Sequence, residues 1–239
     1  MLQINEIFII LHGTQMVENT GMAMRAMANT GLKNLRLVSP LHEWPSAKAA
    51  LASAEKNNLL NVQVFENLTD AVADLQLVCA TTARPRNMIQ EIFTPEAAAE
   101  KIVSLGSSTG IVFGNEKNGL TNEEISGCNF IVEIPSMDFS SYNLAHAVLI
   151  ICYALMTSKN AECQSRQFKT GKTNMATQKQ LDYFLNHLEA KLADRDYFPS
   201  DKKRTLMMQT LRNMFKRTLM TTQEVQSMLG VIEGLSKPI

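Results

Sequence analysis

The sequence lacks the features that mark a membrane, secreted or zinc-binding protein. Its longest apolar stretch, residues 147–156, is about half the length that spans a bilayer. No basic residue precedes the short apolar run at residues 7–11, so we expect no signal peptide and a cytoplasmic location. The four cysteines are irregularly spaced, with no CxxC pair and no histidine at a ligand-like offset. We therefore expect no bound metal, no disulfide and no membrane association.

Net charge is also lacking, because 23 Lys and Arg balance 23 Asp and Glu. By itself this balance argues against a nucleic-acid partner. The charges are uneven along the chain, however. From Ser165 onward 13 basic residues stand against 7 acidic ones, whereas the first 164 residues hold 10 basic and 16 acidic. This asymmetry is typical of an acidic enzyme body that carries a basic arm for a polyanion.

The first part of the chain alternates short β-rich runs with helical patterns, which indicates an α/β fold with a mainly parallel sheet and flanking helices. The expected strands are residues 7–11, 34–38, 62–65, 77–80, 111–113 and 130–134. Helices are expected to begin near Glu18, Ser46, Asn67 and Thr94, and Thr121 with Glu124 forms a capping-box pattern for a further short helix.

The sequence divides into three regions: a body at residues 1–160, a polar linker at 161–176 and a helical extension at 177–239. Hydrophobic content falls between residues 157 and 176. Beyond it, three amphipathic helices are expected to start at Thr177, near Ser200 and at Thr221. The second should bury Leu206, Met207, Leu211, Met214, Phe215 and Leu219. So small a bundle is marginal alone, and we expect it to dock on the body or on a second subunit.

Three segments place polar and glycine residues where a strand passes into a helix, the usual place for sites in open sheets. In the first, at residues 17–25, Asn19 is a candidate cap and Arg25 lies about two turns into the helix. An arginine near free helix N–H groups suits a phosphate. The alternative is an arginine that simply faces solvent.

The second segment, residues 114–121, resembles a phosphate-binding loop, but Leu120 replaces the essential lysine and Glu116 would repel a triphosphate. A glycine-lined turn with one acid fits a ligand that carries positive charge. The alternative is a purely structural turn that needs two positive φ angles. The third segment, residues 134–145, has hydroxyls and Asn143 before a long helix, and these could be caps alone.

Two further patterns are weaker. The loop at residues 80–86 carries Arg84 and Arg86 at a strand end and alone reads as solvated. The four histidines have no Ser or Cys partner in a nucleophile motif, so we expect no catalytic role for them.

Taken in order, the three segments resemble the motifs NxGxxxR, FGxExxGL and IPxxxxxxSxNxA of the SpoU/TrmH branch of the SPOUT methyltransferases. The resemblance covers roughly residues 4–157. Residues 81–86 look like the TSARxR segment of the TrmJ type, and residues 211–217 are similar to the C-terminal extension of that type. This sequence departs from the pattern at Asn115, where Arg is usual, at Tyr142, where Leu is usual, and in a third motif one residue short.

The resemblance implies a sheet with a deep C-terminal trefoil knot, S-adenosylmethionine as cofactor, and a homodimer whose active site is completed across the interface. It also implies methylation of a tRNA ribose 2′-hydroxyl, with cytidine or uridine at nucleotide 32 as the target. By motif position, cofactor contacts would fall on Thr81, Thr82, Ala83, Gly114, Ile134, Ser141, Tyr142 and Asn143. Arg25 would act in catalysis with Asn19, Glu116, Ser141 and Asn143, and RNA would be bound by Arg25, Arg84 and Arg86.

Three alternatives remain at this point. The chain could be a catalytically impaired paralogue that binds cofactor or RNA, although it keeps the motif residues. It could methylate another tRNA position or ribosomal RNA. A dinucleotide-binding Rossmann protein would need GxGxxG after an early strand, and residues 12–21 do not provide that motif.

Overall fold

The computed structural model describes residues 6–54, 59–83, 90–137, 141–158 and 173–236. Its strands are β1 (Ile7–His12), β2 (Asn34–Val38), β3 (Asn61–Phe65), β4 (Leu77–Thr81), β5 (Ile92–Phe93), β6 (Thr109–Phe113) and β7 (Phe130–Val132). Its helices are α1 (Val17–Thr30), α2 (Ala47–Ala52), α3 (Leu68–Val72), α4 (Pro95–Leu105), α5 (Asn122–Ser126), α6 (Leu144–Ser158), α7 (Gln178–Ala193), α8 (Asp201–Arg217) and α9 (Thr222–Ser236).

The seven strands form one sheet in the order β3-β2-β1-β6-β4-β7-β5, and every pairing is parallel. All six expected strands are confirmed, and the two-residue β5 was missed. The side chains of successive residues enter opposite layers: Ile9 packs with α1, α4 and α6, whereas Ile10 packs in the layer of α3 and α5. Buried parallel strands read as unbroken apolar runs for this reason. Within the described ranges no helix is long and apolar enough to cross a membrane.

The long helix α6 is buried on one face only. Val148 and Cys152 are fully buried against α1 and α4, but Leu149 and Tyr153 have exposed fractions of 42% and 58%. Each exposed residue lies one position after a buried one, and the two lie four positions apart, so they form a separate apolar stripe.

The C-terminal helices form their own small core, which includes Leu181, Phe184 and Val225. Capping boxes at Thr177 and Thr221 start α7 and α9 as expected. The prediction that α8 buries Leu206 and Met214 is wrong, because these side chains are 56% and 40% exposed. The opposite face of α8, with Met208 and Lys216, packs towards the body instead.

A buried hydrogen-bond network docks this extension on the body. Lys216 is 2% exposed, and its Nζ lies 2.5 Å from Oε1 of Gln178 and 3.0 Å from Oδ1 of Asp182. The carbonyl oxygen of Lys216 accepts a bond from Nδ2 of Asn129, whose Oδ1 accepts from the backbone N–H of Val78 at 2.7 Å. The extension is therefore fixed to β4 and to the start of β7.

The end of the predicted linker is part of this packed structure. Met175 and Ala176 are buried, and the N–H of Ala176 donates to the carbonyl of Met220 at 2.9 Å. Residues 161–172 of that linker lie outside the described residues. Half of the eight cations on α7 and α8 have acidic partners, in the pairs Lys191–Glu233, Arg204–Glu189, Arg212–Asp182 and Lys216–Asp182. The positive charge that the extension leaves unpaired is therefore smaller than its composition suggests.

We predict that Lys216→Met lowers the free energy of unfolding by roughly 3 kcal/mol, because removal of the ammonium takes a partner from the half-buried carboxylate of Asp182 and from Oε1 of Gln178. The value falls at the low end of the usual range because Asp182 keeps some solvent exposure. Urea denaturation followed by circular dichroism measures the change. Lys202→Met, on the exposed face of the same helix, should stay within about 0.5 kcal/mol of the unchanged protein. Equal stability of both variants would contradict the account.

Candidate active site

A cavity of about 340 Å³ opens at the carboxyl ends of the neighbouring strands β6, β4 and β7. Parallel strands meet there at one edge of the sheet, and the volume falls within the roughly 300–1,000 Å³ typical of small-molecule sites. The cavity is lined by seven of the eight residues predicted to contact the cofactor: Thr81, Thr82, Ala83, Gly114, Ile134, Ser141 and Tyr142. Glu116 also lines it. The second and third motifs and the segment at residues 81–83 thus line one cavity, and the first motif reaches it only through the bond from Asn19 to Glu116.

Glu116 joins the turn after β6 to the start of α1. Its Oε1 accepts from Nδ2 of Asn19 at 2.9 Å and from the backbone N–H of Met16 at 3.3 Å. Its Oε2 accepts from the backbone N–H of Gln15 at 3.0 Å. Two of these donors are N–H groups at the N-terminal end of a helix, where a negative charge is favourable.

Asn19 extends this connection to the third motif. It is 2% exposed, and its Oδ1 accepts from Nδ2 of Asn143 at 2.9 Å. The Oδ1 of Asn143 in turn accepts from the N–H of Ala145 and so caps α6. We call these groups, with the amides of Gln15 and Met16, the Glu116 network. Asn143 therefore caps α6 and binds Asn19 in the site at the same time.

The Glu116 network keeps its carboxyl group ionised. Burial acts to raise the pKa of Glu116, but the hydrogen bonds from Asn19 and from the backbone of Gln15 and Met16 outweigh it and hold the pKa below its ordinary value. A negative charge therefore stands at the cavity wall at neutral pH, as the sequence suggested for a cationic ligand.

The turn between β6 and α5 needs glycine for two different reasons. A Cβ on Gly114 would lie 2.3 Å from the backbone carbon of Gly119, so only glycine permits this close approach. Gly119 has a φ of 67°, in the left-handed region. The alternative of a purely structural turn required two positive φ angles, and of these two glycines only Gly119 has one. Asn115 closes the same turn, because its Oδ1 accepts from the N–H of Asn118 at 2.8 Å. The short side chain of Asn115 thus bonds within the turn, whereas the longer Arg that is usual in the family would reach beyond it.

The structure corrects the placement of the motif-one residues. The N-cap of α1 is Met16, and Asn19 lies in the first helical turn, where it is buried by its bonds to Glu116 and Asn143. Arg25 is exposed on α1 and does not line the cavity of its own chain. The predicted RNA-binding residues Arg84 and Arg86 lie outside the described residues.

Sequence reasoning missed a contact at the mouth of the cavity. The hydroxyl of Tyr142 donates to the carbonyl of Pro135 at 3.0 Å, which closes the loop between β7 and α6. A leucine, usual at this position, has no such donor. The cavity is also lined by Lys117, inside the second motif, Leu144, inside the third, and Ala147, two residues beyond the third. The part of the chain that the structure describes holds no cluster of three or more potential metal ligands.

The SpoU rRNA Methylase family matches residues 6–153, and the C-terminal domain of the tRNA methyltransferase TrmJ matches residues 179–238. The chain therefore belongs to the SpoU methylase family. Within that family it is of the TrmJ type, because the second match covers the helical extension and full-length relatives of that type are similar throughout.

Two relatives share the whole architecture. The tRNA (cytidine/uridine-2′-O-)-methyltransferase TrmJ of Escherichia coli O6:K15:H31 is 33% identical over 99% of this chain and 97% of its own. The crystal structure of TrmJ from Z. mobilis ZM4 superposes with a TM-score of 0.84 at 33% identity, over 96% of this chain and 98% of that one. The SpoU methyltransferase AviRb of Streptomyces viridochromogenes in complex with AdoMet, at 17% identity over 64% of this chain and 60% of its own and a TM-score of 0.53, shares the fold.

We predict that Glu116→Gln lowers the free energy of unfolding at pH 7 by on the order of 1 kcal/mol, since a charged acceptor of three bonds becomes neutral and half-buried. The folded-state pKa is lowered, so the contribution is complete above about pH 4.5 and is lost as the pH falls below it through the folded-state value. Urea denaturation at pH 7 and at pH 3 measures the difference.

The exposed Glu66→Gln is the matched control and should show little difference from the unchanged protein at either pH. A gap between Glu116→Gln and the unchanged protein that widens towards pH 3 would contradict the assignment.

Proposed function

We propose that this protein transfers a methyl group from S-adenosylmethionine to a ribose 2′-hydroxyl of tRNA, at a cytidine or uridine in the anticodon loop, nucleotide 32. The observation that carries the proposal is a cavity lined by the second and third motifs and residues 81–83, with the ionised Glu116 in its wall bound to Asn19 of the first motif. Full-length similarity to TrmJ proteins, extension included, supports the substrate class. A cytoplasmic location follows from that substrate.

The residues of the cavity fit a bent sulfonium ligand. Ala83, Gly114 and Ile134 would offer backbone groups at close range, and the absence of a Cβ at Gly114 leaves the turn compact. The negative charge of Glu116 favours a cationic ligand electrostatically. Such a cofactor supplies an activated methyl group, so the protein's contribution is mainly position and needs no metal.

Arg25 completes the chemistry in this proposal. A guanidinium does not lose its proton, so Arg25 would hold the phosphate next to the reacting ribose and stabilise negative charge on the attacking oxygen. Asn19 and Asn143 fix the start of α1 relative to the cavity. Ser141 lines the cavity without a fixed role in the Glu116 network, and it stays available to the ligand or the ribose.

We propose that two copies pair through α1 and α6. Met22 and Arg25 are exposed and lie three positions apart on one face of α1, and Leu149 and Tyr153 form the exposed apolar stripe of α6. The two helices pack against each other. Exposed apolar area on adjacent helices is typical of an interface. Pairing there would bring Arg25 towards the cavity of the partner subunit. This would explain why Arg25 does not line the cavity of its own chain.

Two further proposals concern the path of the chain and its division into regions. We infer that the loops after β6 and β7 belong to a deep trefoil knot, as the family resemblance implies. The strand order supports this, because β6 is inserted between β1 and β4. We also retain the division into a catalytic region, residues 1–160, a linker, residues 161–176, and an extension, residues 177–239, which the two family matches support.

The cofactor assignment predicts that S-adenosylhomocysteine raises the melting temperature by about 5–10 °C at a hundredfold excess over its Kd, whereas NAD and ATP do not. Gly114→Ala should abolish this rise, because the added Cβ overlaps the backbone at Gly119. Differential scanning fluorimetry with each ligand measures it. Gly230→Ala has open space around the added carbon and should respond like the unchanged protein. A rise with ATP alone would refute the cofactor.

The reaction is tested by incubation with labelled S-adenosylmethionine and total tRNA, followed by mass spectrometry of the methylated nucleosides. We expect 2′-O-methylcytidine or 2′-O-methyluridine in the anticodon loop. Arg25→Ala should lower the rate at least about 100-fold while S-adenosylhomocysteine still binds, since the lost interaction acts on the transition state. Arg195→Ala, exposed on the extension, is the control. Near-normal turnover of Arg25→Ala, or methylation of a base, would refute the proposal.

The pairing predicts that Tyr153→Asp converts a dimer into a monomer in analytical ultracentrifugation, because a charge would enter an apolar interface without a partner. Methyl transfer should fall with it. Tyr183→Asp changes an equally exposed tyrosine on α7 and should leave the dimer intact. A Tyr153→Asp variant that remains a dimer would place the interface elsewhere.

A further inference from the structure

His42, in the loop after β2, contacts two buried hydroxyl groups at the start of the site. Its Nε2 lies 3.3 Å from Oγ1 of Thr14 and 3.1 Å from Oγ1 of Thr20. Both threonines have an exposed fraction of 0%. The other ring nitrogen, Nδ1, lies 3.2 Å from the carbonyl oxygen of Glu43. One imidazole ring therefore contacts the loop at Thr14, the first turn of α1 at Thr20 and the backbone of Glu43.

The partners define the hydrogen-bond directions. A carbonyl oxygen only accepts, so Nδ1 of His42 carries the hydrogen and donates to Glu43. In the tautomer with its hydrogen on Nδ1, Nε2 has one lone pair, which the hydroxyls of Thr14 and Thr20 share as donors. Buried hydroxyls without a partner are costly, so both threonines depend on this one nitrogen unless other groups rearrange.

The two threonines belong to the segments that hold Glu116. Thr14 directly precedes Gln15 and Met16, whose N–H groups bind the carboxylate, and Thr20 directly follows Asn19. The loop of His42 is itself attached here, because the N–H of Leu41 donates to the carbonyl of Thr14 at 2.9 Å. His42 thus spans the same loop and helix turn as Glu116, through a second and independent set of bonds.

We propose that His42 is a positioning residue for methyl transfer: its Nε2 fixes the loop at Thr14 against the first turn of α1 and so sets the position of Asn19 and Glu116 at the cavity. The inference rests on the proposed function and assigns no proton transfer to His42. The imidazole does not line the cavity, and its acceptor nitrogen is already occupied.

A histidine that only filled space would show a different pattern of variants. His42→Phe keeps the shape of the ring but removes the acceptor. His42→Gln keeps an acceptor, because Oε1 of glutamine stands the same number of bonds from the backbone as Nε2 of histidine. If the acceptor positions the site, glutamine should rescue activity and phenylalanine should not.

The test measures kcat and KM for tRNA methylation by the full-length protein, together with S-adenosylhomocysteine affinity and melting temperature. For His42→Phe we expect kcat to fall roughly 10- to 100-fold at a temperature where the protein is fully folded, since small misplacements of catalytic groups have effects of that size. For His42→Gln we expect kcat within about threefold of the unchanged protein. His187→Phe, which removes the histidine paired with Glu233 on the extension, should leave kcat unchanged.

A double-mutant cycle isolates the contact. Thr20→Val removes one hydroxyl without a change of shape, and the combination with His42→Phe should be little slower than His42→Phe alone, because both remove the same interaction. Additive losses in kcat would overturn the inference, as would equal activity of His42→Phe and the unchanged protein, or equal losses in the Phe and Gln variants. If the unchanged protein transfers no methyl group to tRNA, the proposed function itself fails and the role of His42 falls with it.

Discussion

The site depends on one carboxylate. Glu116, on the turn after β6, accepts three hydrogen bonds from residues about a hundred positions earlier in the chain, and two of them come from backbone N–H groups that open α1. Without this acceptor the Nδ2 of the buried Asn19 would lose its partner, and the amides of Gln15 and Met16 would lose their connection to the turn after β6. Because Asn19 also binds Asn143, the same charge fixes the ends of three chain segments relative to one another.

The geometry explains why methyl transfer, which needs few catalytic groups, depends on the precise packing of the cavity walls. A methyl donor needs only a correctly placed nucleophile, so the protein acts through position. The cavity walls come from the ends of β4, β6 and β7, which are rigid because they are central and buried, and the turn at Gly114 is compact because no side chain fits there. The Glu116 network then adds α1 and α6 to that rigid frame.

Much of this arrangement could be predicted from sequence. Strands buried on both faces appear as apolar runs, and capping boxes such as Thr121 with Glu124 mark helix starts. The convergence of the motifs followed from their position at strand ends. What could not be predicted depends on contacts distant in sequence. The pairing of β5 with β7 involves only two residues, and Asn19 looks like a cap until Glu116 and Asn143 surround it.

The extension shows the same limit more clearly. Helical periodicity favoured Met214 as core, yet the structure exposes Met214 and buries Lys216, because Gln178, Asp182 and Asn129 bind the lysine in the interface with the body. A second contact, from Gln90 to Oδ1 of Asn213 at 3.2 Å, reaches the chain just before β5. The extension is thus packed on the catalytic region of its own chain, and any contact with RNA would use its exposed cations, such as Lys202 and Lys203.

The most direct test of the account is a crystal structure of the protein with S-adenosylhomocysteine. The account predicts the ligand in the cavity at the ends of β4, β6 and β7, against Ala83, Gly114 and Tyr142, with the bonds from Glu116 to Asn19 and the two amides intact. A ligand bound elsewhere, or a Glu116 side chain turned away from Asn19 in the complex, would contradict the claim that this carboxylate assembles the site.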